Sequence, residues 1–231
     1  MKLFKIQYNK RSSRKYGWKP DWFDATFFDA QLIENIKVFQ LQHGLKDDGL
    51  VGPRTYRLIY TVRDNLTQPG SRIFCNSLPV AVEGAKVRVD QIKKGCYRKV
   101  RTTRKPTMIV THWDACLSAD ACKRVLEKRN ISTHFVIDND GTIVQLLDCN
   151  DIAWHAGIRK VNNVSIGIDF SNAYYLRYQR AYKDRGFGER PILSGSEVHG
   201  RVLDLHLGYY PAQIEAYKAL LKALAEHYDI D

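Results

Sequence analysis

The sequence predicts a chain of the mixed α/β (α+β) class, in which a small helical domain precedes a larger domain of strands and helices. Three patterns carry this prediction. Short β-branched runs recur between residues 107 and 170, helical periodicity marks residues 29–43, and the clearest apolar stripe of a helix covers residues 211–228. With 231 residues, the chain is long enough for one domain of ordinary size and a smaller one.

The first 105 residues are predicted to hold three segments. Residues 1–20 form a basic arm or a first strand, and residues 21–66 form the helical module, with Asp29 capping its first helix and Gly52-Pro53 opening its second. Residues 67–105 lack clear periodicity, so we expect a linker and a basic lead-in to the domain at 106–231.

The charge of the chain is basic and concentrated. Lys and Arg number 36 against 25 Asp and Glu, and residues 1–20 and 86–105 hold most of the excess. Such segments favour polyanions, whether anionic cell-wall polymers, nucleic acid or acidic lipid, and they equally serve as solvated charge. No segment has the length and apolarity of a membrane span or a signal peptide, so we expect synthesis in the cytoplasm.

The five cysteines do not form a recognisable redox or zinc-ribbon motif. They are scattered without a CxxC pair, at Cys75, Cys96, Cys116, Cys122 and Cys149. We therefore expect reduced thiols in the cell that makes the protein.

Polar side chains come at the ends of the predicted strands in residues 107–170. The run Met108–Val110 leads to His112, and residues 132–147 are predicted to form a hairpin around an Asn-Asp-Gly turn. In the last strand, Ile166, Ile168 and Phe170 share one face, which leaves Asp169 on the other.

These residues contain the parts of a hydrolytic zinc site. His112, His134 and His155 offer imidazoles, and Asp169 offers a carboxylate. A strand-end histidine is more often hydrogen-bonded within the fold, and His134 is equally well explained as a buried supporting residue. His199 and His206 cannot readily share one metal, because residues seven apart lie on opposite faces of a strand. The residues alone leave both interpretations open.

Four motifs in order resemble the type 2 family of N-acetylmuramoyl-L-alanine amidases, which includes phage amidase-type endolysins and is related to peptidoglycan-recognition proteins. They are IVTHWDA, STHFVIDNDGTIVQ, AWHAG and NVSIGID, within a match from about Thr107 to Tyr228. Residues 39–59, with FQ, GL, DG, GP and Thr in sequence, resemble the peptidoglycan-binding domain found beside cell-wall hydrolases. Alternatively, these glycines and the proline simply shape a turn.

The resemblance implies a fold and a set of site residues. The fold is a mixed central sheet of five or six strands, flanked by helices and preceded by the small helical domain. His112 is the zinc ligand and Asp169 the general base, one methylene shorter than the family's usual Glu. The residues expected to bind substrate are Trp154, His155, Ala156, Asn163 and His134.

Three further features bear on the resemblance. Thr133 replaces a tyrosine that some relatives use to stabilise the oxyanion, and its hydroxyl is too short for that role. Cys116 and Cys122 occupy positions where peptidoglycan-recognition proteins often carry a disulfide. The family's later zinc ligands follow the last helix, whereas this sequence ends at Asp231, so we expect them to lie beyond it or to be absent.

The resemblance predicts a zinc-dependent phage endolysin that acts on the cell wall as a monomer and cleaves the amide between N-acetylmuramic acid and L-alanine. The alternative is a peptidoglycan-binding protein with a degenerate metal site. Nothing indicates specific nucleic-acid binding, because no helix-turn-helix or RNP motif is present. The tyrosine-rich residues 172–208 either grip substrate or pack on one another.

Overall fold

A computed structural model describes residues 2–67, 70–198 and 200–230, except for the side chains of 64–67 and 198. It divides into two compact units, one up to Pro69 and one from Gly70. The helices are α1 (Lys2–Tyr16), α2 (Ala30–Gln42), α3 (Pro53–Thr67), α4 (Ala119–Arg129), α5 (Arg159–Val164), α6 (Gln179–Asp184) and α7 (Pro211–Tyr228), with 3-10 turns at Pro20–Phe23 and Leu176–Tyr178. Within the described ranges, no helix combines the length and apolarity needed to cross a membrane.

Thirteen short strands complete the described secondary structure. They are β1 (Arg72–Cys75), β2 (Leu78–Ala81), β3 (Val87–Val89), β4 (Tyr97–Arg98), β5 (Met108–Trp113), β6 (Phe135–Ile137), β7 (Ile143–Gln145), β8 (Ile152–Ala153), β9 (Ser165–Phe170), β10 (Ile192–Leu193), β11 (Glu197–Val198), β12 (Arg201–Val202) and β13 (His206–Leu207). Only β5 and β9 reach six residues. These two strands carry the side chains of the candidate site.

The N-terminal unit begins with a helix, so the prediction of an arm or first strand was wrong. α1 buries two polar residues, Asn9 and Ser12. Asn9 Nδ2 donates to Gly49 O over 3.0 Å, Asn9 Oδ1 accepts from Val51 N over 2.9 Å, and the Ser12 hydroxyl donates to Val51 O. Polar bonds therefore attach α1 to the unit, and apolar periodicity could not reveal them.

The two predicted helices of this unit are confirmed, and the motif residues between them bond to one another. Gln40 is 1% exposed, its Oε1 accepts from Gly49 N over 2.9 Å, and its Nε2 donates to Leu50 O and Thr55 Oγ1 over 3.0 and 3.1 Å. At Gly49, φ is +70° and an added Cβ would lie 2.7 Å from Ile33 Cγ2. Glycine is therefore required for the turn to approach the helix.

The second unit is built on a mixed five-stranded sheet, as predicted. Its strand order is β3-β7-β6-β9-β5. β6 and β7 form the predicted antiparallel hairpin, while the remaining neighbours run parallel. Parallel neighbours such as β5 and β9 require a crossover connection, and the chain between them includes α4 and α5.

The two faces of this sheet differ in character. α7 packs against the face of Ile166, Ile168 and Phe170, where its Leu220 and Leu224 join the main core. α4 covers the opposite face, where its residues Cys122 and Leu126 contact a core with Val136 and Val144. Asp169 lies on this α4 face, as the alternation along β9 predicts.

Residues 70–105 belong to the second unit and are not a linker, whereas Thr67 ends α3 in the first unit. β3 forms an edge of the sheet, and β1 is fixed by Gln145, which accepts from Phe74 N over 2.8 Å and donates to Phe74 O over 2.9 Å. β1 to β4 contain two to four residues each, so their alternation is too short to stand out in the sequence.

Candidate active site

Two parallel strands bring the principal candidate residues together. β5 and β9 pair in a register that sets His112 directly opposite Asp169 and Val110 opposite Gly167. Partners in a parallel pair point to the same face of the sheet, so both side chains are directed toward α4. Residues 57 positions apart in sequence thus become neighbours at the ends of adjacent strands.

His112 lies against a second histidine. His112 Nε2 is 3.1 Å from His155 Nδ1, and His155 Nε2 is 3.0 Å from Ser165 Oγ. The Ser165 hydroxyl donates to Val161 O over 2.7 Å, so it accepts from His155 Nε2. This arrangement places the His155 proton on Nε2 and leaves a lone pair on Nδ1.

Burial keeps both imidazoles neutral near pH 7. It lowers the pKa of His112, and together with the neighbouring His112 it lowers the pKa of His155 to about 4. Neutral imidazoles ligate metals, and two nitrogens bound to one tetrahedral zinc ion lie roughly 3.4 Å apart. The separation of 3.1 Å fits two ligands of one ion. A structural zinc site takes four protein ligands and a catalytic site three, so this pair supplies part of a set.

Asp169 occupies a buried position beside α4. It is 7% exposed, and its Oδ2 lies 3.8 Å from Cys122 Sγ. Burial, followed by the charge of Asp114, raises the pKa of Asp169 to about 7. A carboxyl group with this pKa can both accept and release a proton near neutral pH.

His134 is a supporting residue, and the expectation that it contacts substrate is corrected. Its side chain is fully buried. Nδ1 accepts from Gly167 N over 3.0 Å, and Nε2 lies 3.1 Å from Asp151 O. Both ring nitrogens are used within the fold, and burial lowers the pKa of His134 well below its usual value. This matches the alternative interpretation of a structural histidine.

The loop after β8 presents three of the predicted binding residues. Trp154 is 37% exposed, while His155 and Ala156 are half-buried. Asn162, which the sequence did not single out, holds the loop, because its Oδ1 accepts from His155 N over 3.2 Å and from Ala156 N over 2.9 Å. The predicted residue Asn163 instead accepts from Arg98 Nη2 over 2.9 Å.

Two cavities lie beside these residues and share Arg129, Ile131 and His155 in their linings, and we call them the larger and smaller lobes of the cleft. The larger lobe, of about 540 Å³, is lined by Arg98, Arg129, Ile131, Ile152, Trp154, His155, Gly157, Arg159, Asn162 and Asn163. The smaller, of about 230 Å³, is lined by His112, Trp113, Asp114, Cys116, Cys122, Val125, Leu126, Arg129, Ile131, Ser132, His155 and Asp169. His155 borders both lobes, and Ala156 lines neither.

Arg104 supports the site, but the sequence did not single it out, because it lies in the run of basic residues predicted as a lead-in. Its Nη1 donates to Asn163 O and Ser165 O over 3.2 and 3.1 Å, and its Nη2 donates to Cys149 O over 2.7 Å. Nη2 also lies 3.3 Å from His134 Nε2. Arg104 therefore connects the start of β9 to the floor of the site. Its role cannot be distinguished in the sequence, because the neighbouring residues are also basic.

Residues 172–208 pack on their own tyrosines, as one of the two predicted alternatives states, and substrate gripping stays a prediction. Tyr182 and Tyr210 enclose the buried Arg190 guanidinium, with ring centroids 4.2 and 4.4 Å from its Cζ. Tyr174 instead stacks on Trp113 at the mouth of the smaller lobe, with ring centroids 5.8 Å apart and planes at 7°. The segment therefore contacts the smaller lobe through Trp113, which lines it.

The remaining candidate residues are two histidines, Thr133 and the cysteines. His206 is 7% exposed and stacks on Tyr174, while His199 lies outside the described residues. Thr133 is fully buried, and its hydroxyl faces Asp169, where it acts to lower the pKa of that carboxyl group against the larger effect of burial. All five cysteines are free thiols, so Cys116 and Cys122 carry no disulfide.

Both units of the chain are similar to known protein families. Residues 102–231 match the family described as N-acetylmuramoyl-L-alanine amidase, and residues 14–59 match a peptidoglycan binding domain. No curated protein sequence matches the chain.

Several solved structures are similar to this chain. A complex of the amidase AmiD from E. coli with an anhydro-N-acetylmuramic acid peptide has 23% identity, covering 61% of this chain and 53% of that one, with a TM-score of 0.39. A mutant endolysin from Bacillus subtilis has 21% identity, 64% and 79% coverage and a TM-score of 0.41. The Ph2119 endolysin of a Thermus scotoductus bacteriophage has 20% identity, 59% and 73% coverage and a TM-score of 0.37. The chain spans about half the length of the E. coli protein.

The family match covers more than half of the chain and includes every strand and helix that forms the cleft apart from β4. It also includes the register that pairs His112 with Asp169. The chain belongs to the N-acetylmuramoyl-L-alanine amidase family and carries a peptidoglycan-binding domain in its N-terminal part.

Proposed function

We propose that the chain is a zinc-dependent peptidoglycan hydrolase of the endolysin type, which cleaves the amide between N-acetylmuramic acid and L-alanine. One observation carries the proposal: a neutral histidine pair and a carboxyl group with a pKa near 7 face one cleft. Amide hydrolysis requires a polarised carbonyl and a group that moves a proton from water to the leaving amine. The family membership supports this reaction.

Each side chain has a role set by its position. His112 Nε2 and His155 Nδ1 would hold the zinc ion, which when bound supplies Lewis-acid polarisation of the scissile carbonyl. Asp169 would accept a proton from the attacking water and deliver it to the leaving amine of L-alanine. Its burial on the cleft floor supports both transfers, because a pKa near 7 suits the donor as well as the acceptor.

The larger lobe has the chemistry of a stem-peptide subsite. Arg98, Arg129 and Arg159 line it together with the apolar surface of Trp154. Peptidoglycan stem peptides carry free carboxylates, which guanidinium groups bind in a bidentate manner. The exposed Trp154 ring offers a flat surface to the peptide or to the adjoining sugar.

The N-terminal unit would attach the enzyme to its insoluble substrate. A second binding module raises the local concentration of cleavable bonds around the catalytic unit. Residues 1–20, which include α1, carry seven basic side chains. These would add attraction to anionic wall polymers. We expect the chain to act as a monomer.

The proposal is tested with purified sacculi. The chain is incubated with sacculi and zinc, and newly exposed L-alanine amino groups are labelled and quantified. We expect the unmodified chain to release L-alanine amino groups. This release should be lost in EDTA and in the His112→Ala variant. His227→Ala is the matched control, because it removes an exposed histidine at the end of α7 and should leave release unchanged.

Two outcomes would contradict the hydrolase. Co-sedimentation with sacculi without release of amino groups would identify a peptidoglycan-binding protein. Salt-sensitive retention of DNA without affinity for sacculi would assign the basic segments to nucleic acid.

A further inference from the structure

A second group of metal-ligating atoms lies in the smaller lobe, apart from the histidine pair. Asp114, Cys116 and Cys122 each direct one ligand atom into it, and these three atoms lie within 4.8 Å of one another. Asp169 Oδ2 is a further oxygen at 3.8 Å from Cys122 Sγ. Two sulfurs and two carboxylates thus converge at one end of the cavity.

The fold holds these atoms in place before any ligand binds. Asp114 follows β5, and its Oδ1 accepts from Cys116 N and Asn172 N over 2.8 and 3.1 Å. Its Oδ2 accepts from the Ser171 hydroxyl over 3.1 Å. Cys122 is fixed in the first turns of α4, whose N-terminus is capped by Ser118. The donors therefore come from a strand end, a turn and a helix whose mutual positions the core sets.

We propose that Asp114, Cys116 and Cys122 form a site for a thiophilic divalent cation such as Zn²⁺, with Asp169 as its fourth donor. Paired thiolates select zinc over magnesium and calcium, and Zn–S bonds of about 2.3 Å with Zn–O bonds of about 2.0–2.2 Å require donor separations of roughly 3.5–3.8 Å. The Cys122 Sγ to Asp169 Oδ2 distance of 3.8 Å meets this requirement. The three atoms of the Asp114, Cys116 and Cys122 group need to move inward by up to about 1 Å, and Asp169, which lies outside that group, would join them from its position beside Cys122.

The site is open to solution. Cys116 is half-buried, and the cavity that it lines also contains His112 and His155. An incoming ion therefore meets two alternative donor sets in one space, an imidazole pair and a thiolate–carboxylate group. Asp169 serves the second set, so an ion there would remove this carboxylate from proton transfer. This consequence, inhibition by excess zinc, rests on the proposed hydrolase function.

Cobalt spectroscopy tests the binding step without any assay of activity. The full chain is reduced, stripped of metal with EDTA and checked for five reactive thiols after denaturation. Co²⁺ titration should produce the near-ultraviolet charge-transfer band of thiolate–cobalt bonds, and Zn²⁺ should remove it. Cys116→Ser and Cys122→Ser should each abolish the band, and Asp169→Asn should weaken cobalt binding by about tenfold or more.

Two variants act as controls. Cys96→Ser removes a buried thiol outside the three-residue group and should retain the band. His112→Ala should also retain it, because His112 belongs to the other donor pair. Absence of the band in the reduced, folded chain would overturn the proposal, as would a band that survives both Cys116→Ser and Cys122→Ser.

The inhibitory consequence has its own measurement. Excess Zn²⁺ should reduce the release of L-alanine amino groups by the unmodified chain and should have a smaller effect on Cys116→Ser. A chain that shows the cobalt band but never releases amino groups would refute the hydrolase and leave the metal site established. Equal inhibition of both chains would show that zinc at these thiols does not reach Asp169.

Discussion

The two units use their family motifs in opposite ways. In the N-terminal unit, Gln40 accepts from Gly49 N and donates to Thr55 Oγ1, which closes the turn between α2 and α3. In the second unit, His112 and Asp169 sit on paired strands yet direct their polar atoms into a cavity. The polar atoms of the first motif are hydrogen-bonded within the fold. The second motif directs metal-ligating nitrogens and a proton acceptor into a cavity, where they are available for chemistry.

This difference separates structural from catalytic use of a polar residue. Buried polar groups stabilise a fold when all their hydrogen bonds are made, as at Gln40 and His134. Half-buried groups whose nitrogen faces a cavity, as His155 Nδ1 does beside His112 Nε2, are costly to the fold and useful to a ligand. Variants of the two kinds should therefore affect different measurements.

The largest expected effect is on turnover by Asp169→Asn. The amide cannot accept a proton, so we expect the rate of L-alanine release from sacculi to fall by about 10²–10⁴-fold. The fold should persist, because the two side chains have nearly the same shape. Far-ultraviolet circular dichroism checks the fold, and Asp204→Asn, at an exposed position of the same unit, is the matched control. Full activity of Asp169→Asn would remove this residue from the mechanism.

A smaller loss is expected from Gly167→Ala, which acts through His155. A Cβ at this position would lie 2.7 Å from His155 Cγ and 2.8 Å from Thr133 Oγ1, so the imidazole must move. Displacement of a catalytic group by about 1 Å costs up to roughly 10²-fold in rate. Zinc affinity and turnover, measured together, should both fall. Gly52→Ala is the control, since its Cβ would meet no atom closer than Tyr8 Oη at 3.6 Å.

The sequence predicted those parts of the site that follow from alternation and motif order. It identified the strand-end His112, the face of Asp169, the hairpin and the helix from Pro211. These features have long apolar repeats or special turn residues, so local patterns are sufficient to define them.

The features that the sequence missed depend on contacts between distant residues. α1 is held by Asn9 and Ser12, Arg104 bonds carbonyl groups more than 40 residues away, and Asn162 holds the His155 loop through backbone amides. A polar residue gives the same local signal whether it faces solvent or a buried partner. His134 shows the same ambiguity, because only the tertiary structure reveals that both of its nitrogens have partners.

Gln40→Ala should leave turnover intact and weaken the N-terminal unit. The change strips Gly49 N and the Leu50 carbonyl of a buried partner, which costs about 1–3 kcal/mol. Hydrogen exchange of amides in α2 and α3 should accelerate, while release of amino groups from a soluble muramyl peptide stays constant. Gln42→Ala, at an exposed position of the same helix, should change neither. Reduced turnover on the soluble peptide would contradict the division of roles.

The smallest expected effect is a pH-dependent change in stability, caused by the buried carboxyl group of Asp169. The pKa of Asp169 is raised from 3.8 to about 7 in the folded chain, so between these values the folded state binds more protons than the unfolded state. This carboxyl group therefore lowers stability progressively as pH rises through that window, with the full cost above pH 7. In EDTA-treated protein, Asp169→Asn should raise the Tm of the second unit by a few degrees more at pH 8 than at pH 4.5. Calorimetry at the two pH values measures the difference. An equal rise in Tm at both pH values would show that the stability cost of burying Asp169 does not depend on its ionisation. The control variant Asp204→Asn should change Tm by the same amount at both pH values.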